Sequence, residues 1–201
     1  MISKIEKMIS DKILPEIKLK GRKNFDYHHT KAVVYWIKKI ILQTNNKEID
    51  KQVLITAAYA HDWGYIDLFK SIDTNLRTIT DNKKLHMIKG GEMINSFLKK
   101  DLSLFFSTRQ IRRVTHLVSV HDQIEVLKDD DEITLMEADT LGMLDIKKVI
   151  PTFSIKENKL FMEREIYGRR LLHFKHAYAL KIARRLAKAR EQSYLLKNSF
   201  K

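Results

Sequence analysis

Imidazole and carboxylate groups occur in this chain at positions where helical spacing calls for apolar ones. His29 shares a face with Val33, Trp36 and Ile40 at offsets of four, seven and eleven residues. His61 closes a segment whose inner face carries Leu54, Ala57 and Ala58, and Asp62 follows it directly. His86 lines up with Gly90, Met93 and Phe97, His121 with Val114 and Val118, and Asp139 with Leu135, Gly142 and Ile146. Each is a polar group aimed inward, where an unpartnered one costs about 1–3 kcal/mol. A single inward histidine is ordinarily a core imidazole bonded to a carbonyl. Five segments that turn imidazole and carboxylate inward together point instead to a metal centre, because neutral imidazole and ionised carboxylate are desolvated together around a cation. The adjacent pair His61-Asp62 suits such a centre, since two consecutive residues at a helix end can bend toward one ion. In mid-helix they would diverge by about 100°. The chain has no Cys, so any ion must be held by His, Asp and Glu.

Helical phase also separates competitors. His28 lies with Ala32, Tyr35 and Lys39, a weaker inward stripe than that of His29. His116 follows Arg112 and Arg113 by four and three residues and points about 140° away from His121, so it belongs to a polar face. His173 and His176 read as surface or packing residues, with phosphate contact as the alternative. Lys89, three residues after His86 on nearly the same face, is a substrate-binding candidate for a phosphate group. Gly90-Gly91 inside the same helix costs about 1 kcal/mol per Gly relative to Ala, which close approach of a neighbouring helix or of substrate would explain. Asp67, in the loop after the pair, reads as a loop cap or as a residue orienting water.

The elements that must position these groups are helices throughout. Ile2, Ile5, Ile9 and Ile13 step by three and four before Pro15 stops or redirects the chain. Further helices are expected at about 26–43, 50–61, 81–99, 107–120, 133–146 and from 163 to the end. Ser107 and Gln110 have capping-box spacing. Residues 65–82 are the least periodic and read as a long loop. Pro151 and the short segments 153–155 and 159–161 break the pattern and read as a small hairpin near 153–161. With 44% hydrophobic and 31% charged residues, six Gly and two Pro, the 201-residue chain reads as one all-α domain, a helical bundle over 1–201. Disorder and a turn-rich all-β fold are excluded. The segment 1–14 has no uninterrupted apolar core, and the best apolar stretch, 53–60, is far shorter than the roughly 20 residues that span a bilayer. A soluble, cytoplasmic protein without membrane contact is expected.

The formal net charge is +13, unevenly spread. Between Ile166 and Arg190 there are eight basic residues and no acidic one, whereas Asp129, Asp130, Asp131 and Glu132 form an acidic run. In the basic segment Lys181, Arg184, Arg185 and Lys188 lie opposite an apolar stripe of Phe174, Tyr178, Ile182 and Leu186. That spacing describes a packing helix with a solvated basic face. Only Arg164, Arg169 or Arg170 could turn inward toward a substrate.

The ordered set His29, His61-Asp62, His86, His121 and Asp139 resembles the HD-domain superfamily of metal-dependent phosphohydrolases. The flanking sequences "AAYAHDWGY", "LHMIKGGEMI", "IRRVTHLVSVHD" and "MEADTLGMLD" resemble it too. The resemblance covers about residues 25–145, which it marks as an HD-type metal-binding core, with basic C-terminal helices at 163–201 packed on it. It implies that His29, His61, Asp62 and Asp139 bind a metal ion, and that His86 and His121 serve a second metal or the substrate phosphate. Catalytic roles then fall to Asp62, His86 and His121. Asp62 bridges two ions if these histidines hold a second one; otherwise one of them protonates the leaving group. The expected cofactor is one or two divalent ions, drawn from Mn, Fe, Co, Ni, Zn and Mg. The expected reaction is hydrolysis of a phosphate ester, a nucleotide first, by metal-activated water. Tyr65-Ile66 stands where alarmone hydrolases of the superfamily carry Glu-Asp, and nucleoside monophosphate phosphatases often carry Glu at the position of Tyr65. The Gly-Tyr-Pro signature of cyclic-dinucleotide phosphodiesterases is missing as well. Two alternatives belong to other classes: a di-iron oxygenase of the same fold, and a nucleic-acid-binding or regulatory protein with a vestigial site, to which the basic C-terminus would contribute. Oligomeric state leaves no mark in the sequence.

Overall fold

Two helices are buried on nearly every side and therefore form the centre of the bundle. In α3 (Lys51–Ala60), Val53, Leu54 and every residue from Thr56 to Ala60 are buried. In α7 (Asp130–Leu144), every residue from Glu132 to Gly142 is buried. Around them lie α1 (Lys4–Lys20), α2 (Asp26–Thr44), α5 (Lys83–Asp101), α6 (Thr108–Val120) and α9 (Ala177–Asn198). Helix α2 packs on both α3 and α7, α6 joins α5 to α3, α1 lies across α2 and α3, and α9 covers α7. Two short helices, α4 (Leu76–Asp81) and α8 (Ile155–Phe161), complete the set of nine among the described residues. The computed structural model describes residues 3–23, 25–44, 48–69 and 75–198, and no strand occurs among them. None of its helices is long and apolar enough to cross a membrane.

The helix boundaries follow from local chemistry. Ser3 caps α1 by accepting from the Glu6 amide at 3.0 Å, and Asp50 caps α3 by accepting from the amides of Gln52 and Val53. Ser107 and Gln110 form the expected capping box at the start of α6. The acidic run is a helix start: Asp129 and Glu132 form a second box that opens α7, where carboxylates favour the positive end of the helix. Arg113 of α6 clamps Asp129 at 2.8 Å and also binds Asp131. The buried Glu137 of α7 accepts from the backbone amides of Lys175 and His176 and from the His176 ring, pinning the chain just before α9.

Several sequence expectations are corrected. Helix α1 runs through Pro15 to Lys20 because that residue faces solvent, where water can satisfy the carbonyl of Asp11 that loses its partner. The 153–161 segment is no hairpin; Ser154 and Glu157 form a capping box, and α8 follows directly. It continues into a π-helical turn, Met162–Tyr167, and then a 3-10 turn, Arg170–His173. The irregular 65–82 stretch begins on the last residue of a 3-10 turn, Trp63–Tyr65, and contains the helix α4, while residues 70–74 fall outside the described ones. In α9 the most buried stripe is Ala179, Ala183 and Ala187, small residues that let this helix approach α7 closely. Tyr178, Ile182 and Leu186 flank that stripe and are only partly buried.

Candidate metal centre

Two His-Asp pairs sit at the ends of two helices in the same local geometry. His61 caps the C-terminus of α3 and its Nδ1 donates to the carbonyl of Ala58 at 2.8 Å. His121 caps the C-terminus of α6 and its Nδ1 donates to the carbonyl of Val118 at 2.9 Å. Whenever Nδ1 holds the only ring proton, such a ring offers a bare Nε2 to the interior. Asp62 and Asp122 follow these histidines, and both are buried. His29 reaches the same region from α2, His86 from the first turn of α5 and Asp139 from the middle of α7.

Asp62 divides its carboxylate between two sets of imidazoles. Its Oδ2 lies 3.5 Å from both His29 Nε2 and His61 Nε2, and its Oδ1 lies 3.6 Å from His86 Nε2 and 3.8 Å from His121 Nε2. Asp139 Oδ1 joins the first set, 2.9 Å from His29 Nε2 and 3.8 Å from His61 Nε2. The donor atoms of His29, His61 and Asp139 lie within 4.8 Å of one another, as do those of Asp62, His86 and His121. His61 Nε2 is 3.2 Å from His29 Nε2, and His86 Nε2 is 3.3 Å from His121 Nε2. Such lone pairs and carboxylate oxygens repel unless a proton or a cation lies among them. A divalent ion fits this donor set, which is all imidazole nitrogen and carboxylate oxygen.

The local packing is built around these side chains. A Cβ added at Gly142 would stand 3.3 Å from the His29 ring and 2.7 Å from Val33, so only glycine leaves room there. A Cβ at Gly64 would stand 1.9 Å from the carbonyl oxygen of His86 and 2.6 Å from the amide of Gly90. The turn after the first pair therefore rests directly on the backbone of α5, and this is the close approach that Gly90 permits. Tyr65 stacks on the His86 ring at 3.9 Å and 8°, fixing its plane.

Electrostatics follow from this geometry. Burial lowers the proton affinity of His61, but Asp62 and Asp139 outweigh it and raise its pKa to about 9 in the metal-free protein. Burial and the neighbouring His121 push His86 down to about 4, so this ring is neutral. Although burial alone would raise it, the Asp62 carboxyl is held well below the usual range by His61, His121 and His29. Asp139 is likewise lowered against its burial, chiefly by Arg170 and His29.

An outer ring of cations holds the carboxylates. Buried Arg170 donates to Asp139 Oδ2 at 2.8 Å, to Thr140 Oγ1 at 3.1 Å and to Asp122 Oδ1, while its Nε is buried without a partner among the described residues. Lys83 lies 3.2 Å from Asp122 and 2.9 Å from Glu165. Arg22 is held by buried Asp26 at 2.5 Å and stands 3.8 Å from Asp62 Oδ2, its guanidinium lying over the rings of Phe25 and Tyr65. These three cations line a cavity of about 70 Å³ together with His29, Asp62, His86, His121, Asp122 and Asp139.

The structure thus brings His29, His61, Asp62, His86, His121 and Asp139 together. It does not bring Lys89 to them. Its ammonium donates to the carbonyl of Ile66, and the lysine that lines the cavity is Lys83, three residues before His86. The carbonyl of Ile66 in the turn after the first His-Asp pair takes up the Lys89 ammonium, whereas Lys83 stands in the first turn of α5, at the helix end that borders the cavity. His28 is exposed, His116 binds Glu132 at 2.7 Å, and Asp67 is exposed beside Lys20. Arg164 is exposed, Arg169 pairs with Glu125 and Glu165, and Arg170 turns inward. Sequence reasoning missed Arg22, Lys83 and Asp122. A repeat of the His-Asp dipeptide at 121–122 was the available signal for Asp122.

A family model described as the HD domain matches residues 26–144. No curated protein and no solved structure matches the chain significantly.

Proposed function

The chain belongs to the HD domain family, and from that premise we propose that it is a metal-dependent phosphohydrolase acting on a small phosphate ester of the nucleotide class. One observation carries the reading: Asp62 lies between two histidine sets that each offer a metal site, inside a ring of three buried or half-buried cations. His29, His61 and Asp139 with Asp62 Oδ2 would hold one ion, and His86 and His121 with Asp62 Oδ1 would hold a second. A divalent ion bound there supplies a water acidified toward pKa 7 and polarises a phosphoryl oxygen.

The chain's own residues do the rest. The carbonyls of Ala58 and Val118 fix the tautomers of His61 and His121, so both keep Nε2 available as a donor atom. His86 is neutral at pH 7, which suits a ligand and not a proton donor to a leaving group. Arg170 orients Asp139 and Asp122 through its two terminal nitrogens, and its orphaned Nε is a donor for a phosphoryl oxygen. Lys83 and Arg22 supply fixed positive charge where negative charge grows in the transition state.

The test is elemental analysis of the purified protein together with a phosphatase screen across added divalent metals. We expect bound metal and turnover of at least one nucleotide, with Asp62→Ala losing both while the far-UV circular dichroism stays helical. Metal retention by Asp62→Ala at the wild-type level would overturn the bridging role. Oxygen uptake by iron-loaded protein without release of phosphate would favour the oxygenase chemistry instead.

A further inference from the structure

The cavity has a second end that the metal chemistry does not use. Beyond the carboxylates its wall is formed by Ile79 of α4, Met143 of α7, Phe153, Phe161 of α8 and Arg190 of α9. The rings of Phe153 and Phe161 stand 5.4 Å apart, and the Arg190 guanidinium lies 5.2 Å over Phe161. Arg190 is 2% exposed, one of the most deeply buried large side chains in the protein. Its Nε donates to Asn158 Oδ1 at 2.7 Å and its Nη1 to the Met143 carbonyl at 2.6 Å, and both acceptors are neutral.

This distinguishes Arg190 from every other cation lining the cavity. Arg22 is paired with Asp26, Lys83 with Asp122 and Glu165, and Arg170 with Asp139 and Asp122. Arg190 forms no ion pair with a carboxylate among the described residues. Burial without a counter-charge lowers its pKa to about 10, with Tyr194 as the opposing influence. Desolvating a guanidinium against neutral groups alone is costly, and a methionine or leucine would staple α9 to α7 and α8 without that cost. The charge is accounted for if an anion completes it. Met143, whose carbonyl Arg190 binds, is one turn beyond Asp139 on α7, about 6 Å further along the axis.

We propose that this end of the cavity is a leaving-group subsite, and that it selects phosphate esters whose leaving group carries a second anionic group, bound by Arg190 behind an apolar portion lying along Phe153 and Phe161. The proposal rests on the phosphohydrolase reading for the placement of the scissile phosphate at the metal centre, but its own test is binding. The probes are phenylphosphonate and 4-carboxyphenylphosphonate, which differ only in the carboxylate and are not hydrolysed. Their dissociation constants are measured by calorimetry on full-length, metal-loaded wild type, Arg190→Met and Arg190→Lys. The carboxylated probe should bind wild type at least about tenfold more tightly. That advantage should vanish in Arg190→Met and survive in part in Arg190→Lys. A purely structural arginine would leave the ratio of the two affinities unchanged while lowering stability. Equal affinities in wild type, failure of both probes to bind, or an advantage intact in Arg190→Met would each overturn the subsite. Should Arg190→Met not fold, the wild-type and Arg190→Lys ratios decide alone. A persistent binding advantage in a protein that hydrolyses no phosphate ester would retain the subsite and overturn the phosphohydrolase reading. Turnover without the advantage would do the reverse.

Discussion

Asp62 touches four imidazoles through two oxygens, so a change of charge on its carboxylate is felt by both histidine sets. The clearest consequence concerns pH. In the metal-free protein the pKa of His61 is raised from 6.5 to about 9, so its protonated form contributes stability in full below 6.5 and loses that contribution as pH climbs through 9. An ion must displace that proton, so metal affinity should rise with pH over the same window and level off above it. Titration calorimetry between pH 6 and 10, with melting curves of the stripped protein, checks both; an affinity flat across that range would show that His61 exchanges no proton with metal. The two histidines of α6 provide a second comparison. His121→Ala removes a donor atom and should lower turnover by about 100-fold or more. His116 is bound to Glu132 on the outer side, so His116→Ala should change turnover by less than about threefold. Similar losses from both would mean that the second histidine set is not functional. These positions were legible in the sequence because a short, stiff side chain at an inward helical phase has few places to go. Arg22, Lys83 and Arg170 were harder to read, since a long flexible side chain reaches a point that depends on how distant helices pack.

At the scale of elements, the site depends on how closely the turn at 63–65 rests on α5. A methyl group at position 64 would meet backbone atoms of His86 and Gly90, which have no rotamer to yield, whereas one at position 91 would meet the rotatable hydroxyl of Ser119 at 2.2 Å. Gly64→Ala should therefore destabilise the fold by about 2 kcal/mol and weaken metal retention by displacing His86. Gly91→Ala should be milder on both counts, as thermal melts and metal content would show; equal behaviour of the two would exclude backbone contact as the cause. The helices themselves followed from period and caps, as the Ser107–Gln110 box shows. Pro15 and the 153–161 segment misled for separate reasons. A proline on a solvated face costs one hydrogen bond that water can replace, and alternating apolar residues bounded by Pro151 imitate a strand when Ser154 and Glu157 in fact open a helix.

For the molecule as a whole, the +13 charge divides into cations that are used and cations that are not. Arg170 and Arg190 are buried and hold the C-terminal segment to the core, while Lys181, Arg184, Arg185 and Lys188 face water. Reversing the charge of Arg184 and Lys188 together should leave turnover of a small phosphate ester within tenfold of wild type, or about 1.4 kcal/mol. A larger loss would place that face in the reaction. The ending of both α3 and α6 at the metal centre has a further consequence. Both helices finish at the centre, and their aligned peptide dipoles each bring about half an elementary negative charge to a C-terminus. Helix α5 begins there, carrying the opposite partial charge into the neighbourhood of Lys83. The backbone alone thus makes a shallow potential well for a cation, bordered on one side by a helix start that attracts anions. Side chains deepen a polarity that the arrangement of helix ends already provides.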